Sequence, residues 1–476
     1  MNALADVWRR EAPHVVAALL RRHGDLGDCE DAALEAAEAA ARQWPVDGVP
    51  ADPRAWLVRV ASRRLVDRFR ADRARTRREE SDARRAVDGP GADDVPAGDD
   101  TLRLLVLCCH PALSRPSQVA LSLRAVAGLT VPQIAAAYLV PPRTMTQRLT
   151  RARTQLRRAG ARFALPSQEE LPGRVAAVLD VCHLVFTEGY TRASGPELVD
   201  VALAEEAIRL TREVRRALPD HDEAAGALAL MLLTHARSPA RTDAHGDLVP
   251  LAEQDRGRWR RELIDEGVAL LESTLPHGHV GRYQLQAAIA AVHADAATYQ
   301  DTDWRQITVL YAMLHRVARG PAVTLNHAVA AAMVHGPDTG LALLDPLAAD
   351  PSMRRHHRFY AVRAHLHESA GSPGPAAEDY RRAAQLTASL PEQRYLNRRL
   401  ARLTEPRPRP PGPAPAPRLV EAAHPHGPEA DVPDLEGQGE PPRAGAGPRG
   451  QPASCRRIDS ASCSADMCRN RPSRTR

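Results

Sequence analysis

Apolar positions recur along most of this chain with the 3.6-residue period of helices, and alternations of β-branched residues are few. The first stretch, Ala3 to His23, places Val7, Trp8, Val15, Leu19 and Leu20 on one side. An alanine-rich stretch from Asp28 to Trp44 puts Leu34, Ala37 and Ala41 inward and Glu30, Asp31, Glu35 and Glu38 outward. In the next helix, Pro53 to Glu80, the buried side falls to Trp56, Leu57, Val60, Leu65, Val66 and Phe69. Farther along, Thr130 is placed to cap a short helix running to Ala137, with Val131 and Pro132 in its first turn. Val140-Pro141-Pro142 ends that helix, because a residue before proline is pushed out of helical geometry. A new helix opens near Arg143, and Met145, Leu149, Ala152 and Leu156 make one apolar stripe.

Charge sharpens this picture. The chain has no lysine, so all 64 basic residues are arginine and the formal net charge is +5. That usage, with the high alanine and proline, is the mark of a GC-rich gene, so only clustering without acids is informative. Two such clusters occur. Pro141 to Arg162 carries Arg143, Arg148, Arg151, Arg153, Arg157, Arg158 and Arg162 and no acid. A helix, a tight turn and a second amphipathic helix form the geometry that puts a recognition helix in a DNA major groove. There Arg forks onto guanine, Gln onto adenine, and other arginines neutralise phosphate. Thr144, Gln147, Arg148 and Arg151 lie opposite the stripe; with Arg153 they form the candidate contact set. In the upstream cluster Arg59, Arg63, Arg64, Arg68 and Arg70 flank the Trp56 helix. The acidic helix before it repels nucleic acid and points to a protein partner; a solvated acidic face is the plain alternative.

In their order these parts resemble the ECF, or group 4, sigma factors of bacterial RNA polymerase. DLGDCEDAALEAAEAAARQW is similar to the region 2.2 helix that docks on core polymerase, which implies that role for Asp28, Glu30, Asp31, Glu35 and Glu38. DPRAWLVRVASRRLVDRFR resembles regions 2.3 and 2.4, which open and read the minus-10 element, implying contacts from Trp56, Arg59, Arg63, Arg64, Arg68 and Arg70. Leu113 to Arg153 approaches region 4, which reads minus-35. The resemblance therefore implies core RNA polymerase and promoter DNA as partners, with no cofactor and no enzymatic activity. Arg63 stands where many relatives carry Asn, and Thr146-Gln147 where a Lys-Ser pair is frequent, so promoter sequence does not transfer.

Residues 171 to 404 resemble a TPR-like helical extension found behind region 4 in one group of these factors. The likeness rests on FTEGYTRASG (Phe186 to Gly195), the Ala229 to Trp259 block, YQLQAAIAAVHA (Tyr283 to Ala294), DTDW (Asp301 to Trp304) and LNHAVA (Leu325 to Ala330). It implies regulation in cis, answering an unidentified protein or small-molecule signal. The periodicity itself gives helices over Leu171–Phe186, Glu197–Ala217, Asp222–His235, Arg256–Leu275, Tyr283–Ala294, Trp304–Val317, Ala322–Met333 and His357–Ser369. Near the end, Tyr360, Ala364, His367, Ala376, Tyr380 and Ala383 fit the large and small positions of one tetratricopeptide repeat. Around Gly246, a run from Arg237 to Arg258 is rich in arginine and carboxylates, and reads as interlocking ion pairs that fix helix stacking rather than as an enzyme site. His183, His235, His293 and His327 read as interhelical core histidines.

The expected organisation is all-α: a region 2 domain over 1–80, a flexible acidic linker over 81–100, a region 4 helix-turn-helix domain over 101–165, the extension over 168–404, and a Pro/Gly/Arg-rich tail over 405–476 too poor in apolar residues to fold. The linker's Asp88, Asp93, Asp94, Asp99 and Asp100 fit an electropositive path in polymerase, and an ordinary solvated linker explains them equally. No window approaches the roughly 20 apolar residues that span a bilayer, and no signal peptide opens the chain, so the expectation is a cytoplasmic protein without a membrane partner. The seven cysteines are scattered and lack metal-ligand spacing, so buried thiols and no metal are expected. Two other classes fit parts of the chain: a stand-alone helix-turn-helix regulator and a TPR-type interaction scaffold.

Overall fold

Small side chains let helices approach closely, and here many alanines are buried. The computed structural model describes residues 3–79 and 97–404, apart from Leu139, His279 and Ser352. The tail beyond 404 and most of the expected linker lie outside the described residues. A first group comprises α1 (Ala3–His23), α2 (Leu26–Asp47) and α3 (Pro53–Glu79), and a second comprises α4 (Ala97–Cys108), α5 (Arg115–Ala125), α6 (Val131–Ala137) and α7 (Pro142–Arg158). The extension follows with α8 (Leu171–Tyr190), α9 (Val201–Ala217), α10 (Asp222–His235), α11 (Arg261–Thr274), α12 (Arg282–Asp295), α13 (Trp304–Val317) and α14 (Pro321–His335). It ends with α15 (Pro337–Ala348), α16 (His357–Ser369), α17 (Pro373–Leu386) and α18 (Leu390–Thr404). Among the described residues the one sheet is a two-residue parallel pairing of β1 (Ser194–Gly195) with β2 (Ala388–Ser389), so the fold is all-α. None of these helices is long and apolar enough to cross a membrane.

The structure departs from the sequence pattern in five places. In α2 the inward face is Cys29, Ala33, Ala36, Ala40 and Trp44, while Leu34 and Ala37 are half-buried and Ala41 is exposed. Alanine on several faces leaves the stripe nearly featureless, and the two ends of the helix, Cys29 and Trp44, set its rotation. In α3, Leu57, Ala61 and Leu65 are buried and Val66 is exposed. The expected linker ends early: α4 starts at Ala97, and Asp100 is buried and paired with Arg21 at 2.5 Å. Helix α15 was unmarked by periodicity because Pro337, Gly340 and Pro346 interrupt its pattern, and the segment before Arg261 forms short 3-10 turns instead of the first turn of α11.

One continuous core runs from Val15 in α1 to Ala294 in α12, so both helical groups and the start of the extension share it. At the joint Asp180 of α8 accepts from Arg115 of α5 at 2.7 Å, from the Tyr283 hydroxyl at 2.9 Å and from Arg282. Arg174 donates to the Val106 carbonyl at 2.8 Å. Between the first two groups, the Trp8 indole donates to the carbonyl of Gly128 at 3.0 Å. Gly128 has φ +67°, and a Cβ there would stand 2.6 Å from the Trp8 indole nitrogen. Gly128→Ala is therefore expected to cost about 2 kcal/mol, from left-handed backbone strain and loss of this contact. A thermal melt followed by tryptophan fluorescence measures it; an unchanged midpoint would show that α1 does not depend on this docking.

Candidate nucleic-acid interface

The second helix of the helix-turn-helix is set by its ends and its stripe. Thr130 and Gln133 cap α6 reciprocally: the Thr130 N–H donates to Gln133 Oε1 at 2.8 Å, and the Gln133 N–H to Thr130 Oγ1 at 3.4 Å. Pro141 is extended, and α7 starts at Pro142, where a missing N–H costs nothing. Met145, Leu149, Ala152 and Leu156 are all buried, which turns the rest of α7 outward. Thr144, Gln147 and Arg151 are exposed, as are Arg143, Arg157 and Arg158. Arg148 is half-buried, its guanidinium 5.9 Å from the centre of the Tyr138 ring, which leaves it close to the same face.

Arg153 stands apart from that set. It lies four residues after Leu149, at the edge of the buried stripe, and turns away from the outward face. Its Nε donates to Glu30 Oε2 at 2.9 Å and its Nη2 reaches the same oxygen. Glu30, expected on the exposed face of α2, is 2% exposed. Gly27, one turn earlier, makes room: a side chain there would meet Arg153 at 3.2 Å. Arg124 of α5 holds Asp31 at 3.2 Å, and Arg157 holds Asp25 at 2.6 Å. Burial pushes the Glu30 carboxyl up to about 7, against the pull of Arg153 and Arg124. Its second oxygen has no hydrogen-bond partner among the described residues. The acidic helix is thus clamped on the back of the DNA-type helix.

On α3, Arg59, Arg63, Arg64 and Arg70 are exposed. Arg68 is turned onto α2, where it pairs with Glu35 and approaches Asp28 at 3.9 Å. Trp56 is half-buried, edge-on to Trp44 with ring centres 5.4 Å apart. Of the acidic set, Asp28, Asp31 and Glu35 are half-exposed and ion-paired within the chain, and Glu38 is exposed. The clamp residues Asp25, Arg124 and Arg157 carried no sequence signal as partners, because they pair across about a hundred positions with no spacing rule.

In the extension, the arginine-rich block around Gly246 is pinned by long-range contacts rather than by pairs within itself. Asp247 accepts from Arg394 at 2.5 Å and from Arg398, both on α18. Arg241 and Arg256 spend their donors on backbone carbonyls and threonine hydroxyls. His183 lies against the Tyr283 ring, His235 Nδ1 is 2.9 Å from the Ser238 hydroxyl, and burial pushes both imidazoles down to about 4. Cys29, Cys108, Cys109 and Cys182 are buried free thiols.

Two family matches fall on the helices that carry these faces: sigma-70 region 2 over residues 7–75 and sigma-70 region 4 over residues 103–156. Together they make the chain a sigma factor. Its regions 2 and 4 make core RNA polymerase and promoter DNA its partners, and its role is in transcription initiation. A third match, to a family of unknown function (DUF6596), covers residues 174–275 of the extension. The uncharacterized protein R00370 of Rhizobium meliloti (strain 1021) is 39% identical over 397 residues, 82% of this chain and 93% of that protein. A probable ECF RNA polymerase sigma factor SigI of Mycobacterium tuberculosis is 28% identical over 189 residues, 38% of this chain and 63% of that protein. No solved structure matches the chain.

Proposed function

We propose that this sigma factor is of the ECF type, acting in the cytoplasm, and that its helical extension controls it in cis. The observation that carries the reading is the acid-free outward face of α7, borne by region 4 and joined through one core to the extension. In the proposed division, residues 1–80 bind core polymerase and the opened minus-10 element, 101–165 bind minus-35, and 168–404 regulate. Trp56, Arg59, Arg63, Arg64, Arg68 and Arg70 serve minus-10; Thr144, Gln147, Arg148 and Arg151 serve minus-35. Arg153 joins that second set only once Glu30 releases it. Asp28, Glu30, Asp31, Glu35 and Glu38 serve polymerase, which performs the bond chemistry.

Support for control in cis comes from the joint. Helices α8 and α9 pack on α4 and α5, so the extension touches region 4 directly. The α16–α17 hairpin buries Ala364, Ala376, Tyr380 and Ala383, in keeping with a tetratricopeptide-type pair. Run-off transcription with purified core polymerase tests the whole reading, comparing the full chain with an Asp180→Ala variant that loosens the joint. Discrete factor-dependent starts, altered several-fold in yield by Asp180→Ala, are expected. Polymerase binding without such starts would reject promoter selection. Tight duplex binding with no affinity for polymerase would return the chain to a stand-alone regulator. Identical yields from the two proteins would remove the control in cis.

A further inference from the structure

We propose that the extension holds a binding site for a small organic carboxylate, in a cavity walled by α10, α12, α13 and α14, with Arg237 as the residue that receives the carboxylate. The proposal deepens the regulatory reading above by naming a ligand class.

The cavity measures about 370 Å³ and adjoins a second of about 350 Å³ across His293, Tyr311 and Asn326. That size suits a metabolite-sized molecule. Its wall is divided by chemistry. Leu230, Ile289 and Leu314 give one apolar side, and Arg237, Gln286 and Asn326 bring polar groups to the other. Among the described residues no Asp or Glu lines this first cavity.

Arg237 supplies the charge. Many arginines of the extension find a carboxylate, but Arg237 has no ion pair among the described residues, and its Nε is buried with no hydrogen-bond partner. An unmet buried donor is costly and calls for an acceptor. Its neighbours do not supply one. The nearby guanidinium of Arg256 is turned onto the carbonyls of His293 and Ala296, and Arg241 onto Tyr190 and Thr191; neither meets a carboxylate among the described residues. Neither lines the cavity, but both lie close enough to Arg237 to add positive potential there. His293 adds a second open position: its ring stands edge-on to Trp304, and its buried Nδ1 has no partner. Burial, then Arg237 and Arg256, push that imidazole down to about 3, so it stays neutral and contributes hydrogen bonding rather than charge. A planar fork beside an apolar wall is matched by a carboxylate with an apolar body.

Isothermal titration of the full chain with hexanoate, benzoate, neutral benzamide and inorganic phosphate is the test. At least one acid is expected to bind once per chain and about tenfold or more tighter than benzamide, the ratio expected of a charge-assisted contact. Arg237→Gln should weaken it by a similar factor. Ala322 sits exposed at the rim, so Ala322→Trp should block entry without disturbing the core. Unchanged circular dichroism and thermal midpoints in both variants separate lost binding from lost fold. Absence of binding by both acids, equal binding of benzamide, phosphate binding as tight as the acids, or full affinity in Arg237→Gln would each overturn the proposal. Factor-dependent run-off starts from the same preparation keep a failed pocket distinct from a failed sigma assignment.

Discussion

Charge reversal at Arg148 and Arg151 is expected to lower promoter-specific initiation by at least about a hundredfold while leaving polymerase binding largely intact. Each arginine that meets a base edge or phosphate contributes about 1–3 kcal/mol, and reversal adds repulsion from the backbone to the lost contact. Both residues lie away from the buried stripe of α7, and neither pairs with a carboxylate among the described residues, so folding should survive. Run-off yield and a polymerase pull-down, measured on the same double variant, separate the two functions. Unchanged transcription would remove α7 as the recognition helix; loss of polymerase binding as well would mean that the face serves assembly.

The second large effect is expected at the clamp between regions 2 and 4. Arg153→Ala strips the buried Glu30 carboxylate of its principal counter-charge. Breaking such a pair costs up to about 3 kcal/mol once the partial exposure of Arg153 is discounted, a shift on the order of a hundredfold toward separation of α2 from α7. Spin labels on the exposed ends of these helices report the distance. The equilibrium also depends on pH, with a definite sign. Glu30 is raised to about 7 when clamped and returns to the ordinary range near 4.5 when freed, so the clamped state takes up a proton. Its contribution to closure is complete below about 4.5 and is lost as pH rises through 7. Alkaline conditions therefore favour opening, and Glu30→Gln should abolish that dependence. Equal distances in wild type and Arg153→Ala at pH 8 would show that this pair does not hold the regions together.

Local structure was legible wherever a periodic pattern used large side chains. The stripe of Met145, Leu149, Ala152 and Leu156 gave the rotation of α7 correctly, and the ends of α1, α10, α13 and α16 coincide with the periodic stretches. Where alanine replaces leucine the pattern loses contrast, and it places the inward face of α2 about one position out of register. The expected DNA and polymerase residues are mostly at the surface, but Glu30, Arg68 and Arg153 are drawn inward by each other's helices. Pairing across so many positions depends on how the groups dock, which periodicity does not encode. The cavity beside Arg237 has no sequence signal for the same reason. Its wall comes from four helices, and a run that looked like mutual ion pairs contains an arginine left without one.

The shared core carries a consequence for synthesis. Region 4 is complete on the ribosome before α8, yet α8 and α9 supply the apolar cover for α4 and α5. At roughly 5–20 residues per second, α8 and α9 follow region 4 after on the order of several seconds. During that interval a nascent chain displays the basic face of α7 and a bare hydrophobic flank together. Helices α8 and α9 therefore complete the apolar core of region 4 only after its own helices have emerged.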